Sequence, residues 1–145
     1  MTVQRLEHLG IVVDDLAAAI GFFVELGLEL QGDMTVEGRA VDRIVGLEGV
    51  QSDVAFLQTP DGHGRLELIK FNAPPGPAGE PHAPANTPGL RHVLFAVDDI
   101  DATVARLQAR GAELVGEVVA YGGGYRLCYI RGPAGIIVEL AEKID

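Results

Sequence analysis

Four residues in this chain have the types and placement that chemistry requires: His8, Glu67, His92 and Glu139. Imidazole nitrogens and carboxylate oxygens are the donors that zinc, nickel, cobalt, manganese or iron accept, with water filling the remaining positions. His8 and His92 each stand at the start of a β-rich run, Leu9 to Val13 and Val93 to Val97. Glu67 lies between Leu66 and Leu68, and Glu139 between Val138 and Leu140. In a strand, alternate residues face opposite sides, so the apolar neighbours of each glutamate form one face and the carboxylate takes the other. A carboxylate bracketed in this way is costly unless something satisfies its charge. Leu9, Ile11 and Val13 set the same parity in the first run and leave His8 on the far side. The expectation is that the four side chains converge from four strands around one divalent cation. Thiolate chemistry is not expected, because the single cysteine, Cys128, sits in the apolar run Leu127 to Ile130 and reads as a buried spectator. His63, in a turn, and His82, in a proline-rich stretch, read as solvated.

The four residues are matched because the chain repeats itself. An offset of 84 residues carries His8 onto His92, Val13 onto Val97, and Asp14-Asp15 onto Asp98-Asp99. The same offset carries Gly27-Leu28-Glu29-Leu30 onto Gly111-Ala112-Glu113-Leu114. Agreement at polar and glycine positions goes beyond shared apolar periodicity.

Each copy has one local grammar. The first β run ends in Asp-Asp, which caps a helix N-terminus. Leu16, Ile20 and Phe23, or Ile100, Val104 and Leu107, then recur at helical spacing. Gly27 and Gly111 are expected to stop the helices. Strands follow over Leu28 to Val36, Val54 to Gln58 and Arg65 to Phe71, and over Glu113 to Ala120, Arg126 to Ile130 and Ile136 to Ala141. Pro60-Asp61-Gly62 and Gly132-Pro133-Ala134-Gly135 are the hairpin turns. The first copy carries an insertion, Val41 to Leu47, spaced for one or two helical turns. The fold class is therefore α+β: two tandem βαβββ modules, about 1–71 and 89–145, forming an open, cupped mixed sheet around a metal or ligand cavity. The connection, Asn72 to Gly89, holds six of the eight prolines and reads as a semi-rigid surface linker without strand or helix. Its length leaves open whether the modules pair within one chain or across a dimer, and a homodimer is expected.

Composition narrows the partners. The chain has 145 residues and a net charge of −10, with 11 Lys and Arg in no cluster. A nucleic-acid binder needs cationic surface to displace counterions, so neither nucleic acid nor an acidic membrane is an expected partner; a small molecule is. There is no apolar run of membrane-spanning length and no signal-peptide layout at the start. The lone cysteine suits a reducing, cytoplasmic setting. Gly122-Gly123-Gly124 opens no helix and so reads as a flexible turn rather than a phosphate loop. Arg126 reads as a solvated strand-end cation, with an anionic substrate as the alternative, and Asp53 as a strand cap.

Taken together, Leu6 to Leu16, Phe22 to Leu28, Leu90 to Ile100 and Ile137 to Leu140 resemble the vicinal oxygen chelate superfamily of glyoxalase, bleomycin resistance and dioxygenase proteins. The resemblance covers all but the linker and the Val41 to Leu47 insertion. It implies the paired-module fold and a metal held by His8, Glu67, His92 and Glu139. With Glu67 as fourth ligand, the chain is more similar to glyoxalase I and methylmalonyl-CoA epimerase than to the three-ligand extradiol dioxygenases. By that resemblance the protein is a metal-dependent lyase or isomerase, with Glu139, and also Glu67, as general base. The alternatives are a non-catalytic cup for an antibiotic or aromatic ligand and an iron-dependent dioxygenase. Four departures from the family pattern stand out. No cation follows His8, where bacterial glyoxalase I has an arginine. Asp53 is the nearest candidate for the epimerase's second acid. Phe23 replaces a tyrosine, and the usual Asp-Pro-x-Gly turn begins with Gly132.

Overall fold

The computed structural model describes residues 2–144. It divides into two compact units, Met1–Ala78 and Gly79–Asp145, so the boundary falls inside the proline-rich connection. In the first unit the order is β1 (Leu9–Val12), α1 (Leu16–Leu26), β2 (Glu29–Glu37), α2 (Arg39–Val45), β3 (Gln51–Gln58) and β4 (Arg65–Ala73). In the second it is β5 (His92–Val97), α3 (Ile100–Gln108), β6 (Val119–Tyr121), β7 (Tyr125–Arg131) and β8 (Ile137–Lys143). Each unit builds a four-stranded open sheet, ordered β1-β4-β3-β2 in one and β5-β8-β7-β6 in the other. In both, the first strand runs parallel to the last and the other pairings are antiparallel. This is the tandem βαβββ arrangement.

The second aspartate of each Asp-Asp pair makes the helix cap. Asp15 accepts from the Ala18 N–H and Asp99 from the Ala102 N–H, both at 3.0 Å. Gly27 ends α1 at φ 122°, its N–H donating to the carbonyls of Phe23 and Val24. α3 ends differently. Ala109 is its right-handed C-cap, and Gly111 turns the chain only two residues later, at φ 90°.

One face of each sheet packs on its helix. In the first unit Leu57, Leu66 and Leu68 are buried beneath Ala19, Phe22, Phe23 and Leu26. In the second, Cys128, Ile130, Val138 and Leu140 are buried with Ile100, Thr103, Val104 and Leu107. Burying each large aliphatic side chain contributes about 1.5–3 kcal/mol, and this fixes strand register, since a one-residue slip would turn the leucines outward.

Several expectations on element boundaries are corrected; β3, for one, begins at Gln51 rather than Val54. The segment Glu113 to Ala120 is not one strand. Leu114 bridges Ile130 and pairing resumes only at Val119 with Leu127. Five steps of chain there oppose three of β7, so the ladder must break, and it does so around Gly116. β4 runs on through Asn72 and Ala73, because Ala73 still pairs with Gln51. The insertion folds as α2, which begins two residues earlier than its apolar spacing predicts. Among the described residues no helix is long and apolar enough to cross a membrane.

Candidate functional site

The sheet registers define what lies opposite the helices. In the first unit Gly10, Glu67, Phe56 and Gly32 form one line across the strands, and Val12, Ile69, Val54 and Met34 form the next. In the second, Leu94, Glu139 and Tyr129 form the equivalent line. Both glutamates therefore occupy the face away from the helix, as the strand parity predicts, while their neighbours Leu66, Leu68, Val138 and Leu140 are buried on the other.

Each histidine meets the glutamate of its own unit. His8 Nε2 lies 3.7 Å from Glu67 Oε1, and His92 Nε2 lies 3.3 Å from Glu139 Oε1. The side chains are partly open: His8 35% and Glu67 24% exposed, His92 42% and Glu139 15%. Among the described residues no group of three or more His, Cys, Asp or Glu is gathered. The structure thus brings together two His–Glu pairs, His8 with Glu67 and His92 with Glu139, each built within one unit. Gly10 is part of this construction: a Cβ there would lie 3.9 Å from Glu67 Oε1, so any larger side chain would fill the space beside the carboxylate.

Two aromatic residues missing from the sequence reading complete the pairs. Phe56 presents its ring edge-on to His8, with centroids 5.9 Å apart and planes at 86°. Tyr129 lies 5.2 Å from His92 at 33°, with its Oη 3.5 Å from His92 Nδ1. Both stand directly across from the glutamate on the adjacent strand. Their signal in the sequence is a mid-strand aromatic on the other arm of the hairpin that carries the glutamate. Reading it requires the hairpin register.

Three other candidates do not belong to these pairs. Arg126 faces the helix, where Asp101 of α3 grips it in two hydrogen bonds of 2.7 and 3.0 Å. Asp101 holds the guanidinium pKa above its ordinary value, and Arg126 in turn lowers that of Asp101. Arg126 is thus neither a solvated strand end nor a group facing Glu139. Asp53 is inside β3 rather than capping it, at the register of Lys70 and so on the helix side of the sheet from Glu67. Asn72 and Thr35 donate to its carboxylate and lower its pKa. Cys128 is buried, and burial pushes its thiol pKa up. His63 and His82 are exposed.

Two open sheets, each with a histidine facing a last-strand glutamate (His8 just before β1, His92 at the start of β5), define the vicinal oxygen chelate class of fold. The chain belongs to the Glyoxalase/Bleomycin resistance protein/Dioxygenase superfamily, whose pattern it matches over residues 5–140. It is similar to a glyoxalase family protein from Bacillus cereus of known structure, with 48% identity and a TM-score of 0.95, covering 100% of this chain and 97% of that one. It is also similar to the uncharacterized proteins YwbC of Bacillus subtilis, 32% identical over 97% of this chain and 98% of that one, and YaeR of Escherichia coli, 30% identical over the same shares.

Proposed function

We propose that this protein is a divalent-metal-dependent lyase or isomerase of the glyoxalase I or methylmalonyl-CoA epimerase kind, moving a proton on carbon next to a carbonyl of a small oxygenated substrate. The observation that carries the reading is the pair of repeat-equivalent His–Glu contacts. Two donors bound to the same small cation at about 2.0–2.2 Å stand about 3–3.5 Å apart, and the Nε2–Oε1 separations of 3.7 and 3.3 Å are close to that. The donor set, two imidazoles and two carboxylates, suits zinc, nickel, cobalt, manganese or iron. His8, Glu67, His92 and Glu139 would hold the ion jointly, and the assembly that goes with this reading is a homodimer.

Once bound, the metal supplies Lewis-acid polarisation of the substrate carbonyl. The remaining work falls to the chain. Glu139, the less exposed carboxylate, takes the proton from the carbon beside the carbonyl, and the C–H electron pair moves toward the polarised oxygen. The proton is then returned to carbon. Glu67 stands in the equivalent place in the first unit and is the second candidate base. The Tyr129 hydroxyl beside His92 Nδ1 orients the imidazole so that Nε2 faces Glu139. Ile69, Val12 and Met34 give the open face beside Glu67 an apolar lining.

The test is to purify the protein without chelator, measure bound metal, and assay hemithioacetal isomerisation and α-proton exchange in deuterated water. Bound metal with either activity is the expected result. Absence of bound metal, with no affinity for nickel, zinc, cobalt or manganese, refutes the proposal.

A further inference from the structure

The stretch after His8 has no cation, yet the open face of the first sheet has one that comes from the far end of the chain's first unit. Arg65 opens β4 and pairs with Gln58. It is two residues from Glu67 and therefore on the same face, about 7 Å along the strand. Its guanidinium stacks over the Phe56 ring, 5.1 Å from the centroid. That ring also meets His8 edge-on, so a single aromatic wall joins cation, imidazole and carboxylate. We infer that Arg65 is the anion-binding residue of this site, gripping a carboxylate carried by the substrate, with Glu7 as its resting partner. This inference rests on the site proposed above and adds the substrate class: a carbonyl compound whose carboxylate lies several bonds from the reacting carbon.

Three features carry it. A guanidinium held against an aromatic ring keeps its N–H fork in one plane, the geometry that a carboxylate takes in two parallel hydrogen bonds. The position already accepts a carboxylate, since Arg65 Nη1 donates to Glu7 Oε1. Glu7 is able to leave without losing its charge partner, because its other oxygen, Oε2, accepts from Arg5 Nε at 3.1 Å. The side chains of Arg65 and Glu7 are 33% and 46% exposed, so a solute reaches the pair. The other arginines on the strands carrying or flanking the glutamates are committed elsewhere. Asp101 holds Arg126 on the helix side, and Arg131 Nη1 donates to the Gly135 carbonyl.

A purely structural staple between Glu7 and Arg65 makes different predictions, which a binding experiment separates. Metal-stripped protein is titrated with succinate, and with succinamide as the uncharged control, following the Arg65 side-chain and Phe56 resonances by NMR. Succinate is expected to saturate the response and succinamide to give none. Arg65→Ala is expected to weaken succinate binding roughly tenfold or more. Arg65→Lys, which keeps the charge and loses the fork, should also bind more weakly. Glu7→Gln removes the competitor and should bind about threefold more tightly. Weaker binding in Glu7→Gln, or unchanged binding in Arg65→Ala or in Arg65→Lys, overturns the inference. Working without metal keeps the two proposals separate. Succinate binding at Arg65 by a protein that takes up no metal refutes the metal reading alone.

Discussion

If the two His–Glu pairs act as one donor set, removing either glutamate must cost the same binding, although the two residues lie 72 positions apart. The perturbations are Glu67→Ala and Glu139→Ala. Each leaves three donors of four. Loss of an outer-shell partner already weakens a metal about 10- to 100-fold, so loss of a direct donor should exceed roughly 100-fold. Binding to the folded state alone adds RT ln(1 + [L]/Kd), which is about 2.7 kcal/mol when the metal stands at 100 times Kd. For a chain of this size that raises Tm by roughly 5–10 °C. At the same metal concentration a variant weakened 100-fold gains only about 0.4 kcal/mol, a shift of roughly 1–2 °C. Thermal unfolding with and without manganese, nickel, zinc or cobalt reads the shifts, and metal analysis gives the stoichiometry, expected to be one ion per chain. The reasoning is refuted by two ions per chain, or by one variant that loses the shift while the other keeps it whole.

Other consequences are simpler to state. Gly135 stands at φ 80°, and a Cβ there would lie 2.3 Å from the Pro81 carbonyl oxygen. Gly135→Ala should cost more than about 1 kcal/mol in urea unfolding and displace the connection from the turn that leads into β8; a neutral substitution would contradict the packing. The Arg126–Asp101 pair lowers the carboxyl pKa of Asp101 below its ordinary 3.8. Its contribution is thus present above that value and lost as the pH falls through the lowered one. Asp101→Asn should therefore be less stable than the parent at neutral pH, with the difference shrinking as the pH falls below 3.8, as read by urea midpoints across that range. Leu140, fully buried beside Glu139, should cost about 2–5 kcal/mol as Leu140→Ala, by the same measurement. Sedimentation should give twice the 15.3 kDa chain mass if the proposed homodimer forms, and a single chain mass refutes it.

Much of the fold is legible in the residues, for reasons that are local. Apolar alternation around Glu67 and Glu139 states which way each carboxylate points, because a strand has only two faces and leucine claims one. The Asp-Asp pairs and Gly27 mark helix ends through hydrogen bonds that span three or four residues. Gly111 marks its helix end less well, since α3 finishes in a right-handed turn before the glycine is reached. The strand expected over Glu113 to Ala120 breaks because its partner, β7, offers fewer residues than the segment holds. Composition cannot state that length mismatch.

The sequence by itself determined the repeat, the two-faced strands, and hence the identity of His8, Glu67, His92 and Glu139 as a matched set. Only the tertiary structure decided their neighbours. Phe56 and Tyr129 stand beside the histidines because a hairpin register puts them across from the glutamates. Arg126 and Asp53 turn to the helix side because their rungs fall on that parity. Arg65 comes to the His8 side through a stacked ring and a carboxylate 58 positions away. The physical reason is the range of the forces involved. Side-chain parity and capping act over a few residues and are written in order along the chain. Register and cross-strand contact join residues far apart in sequence, and only the folded sheet makes them adjacent.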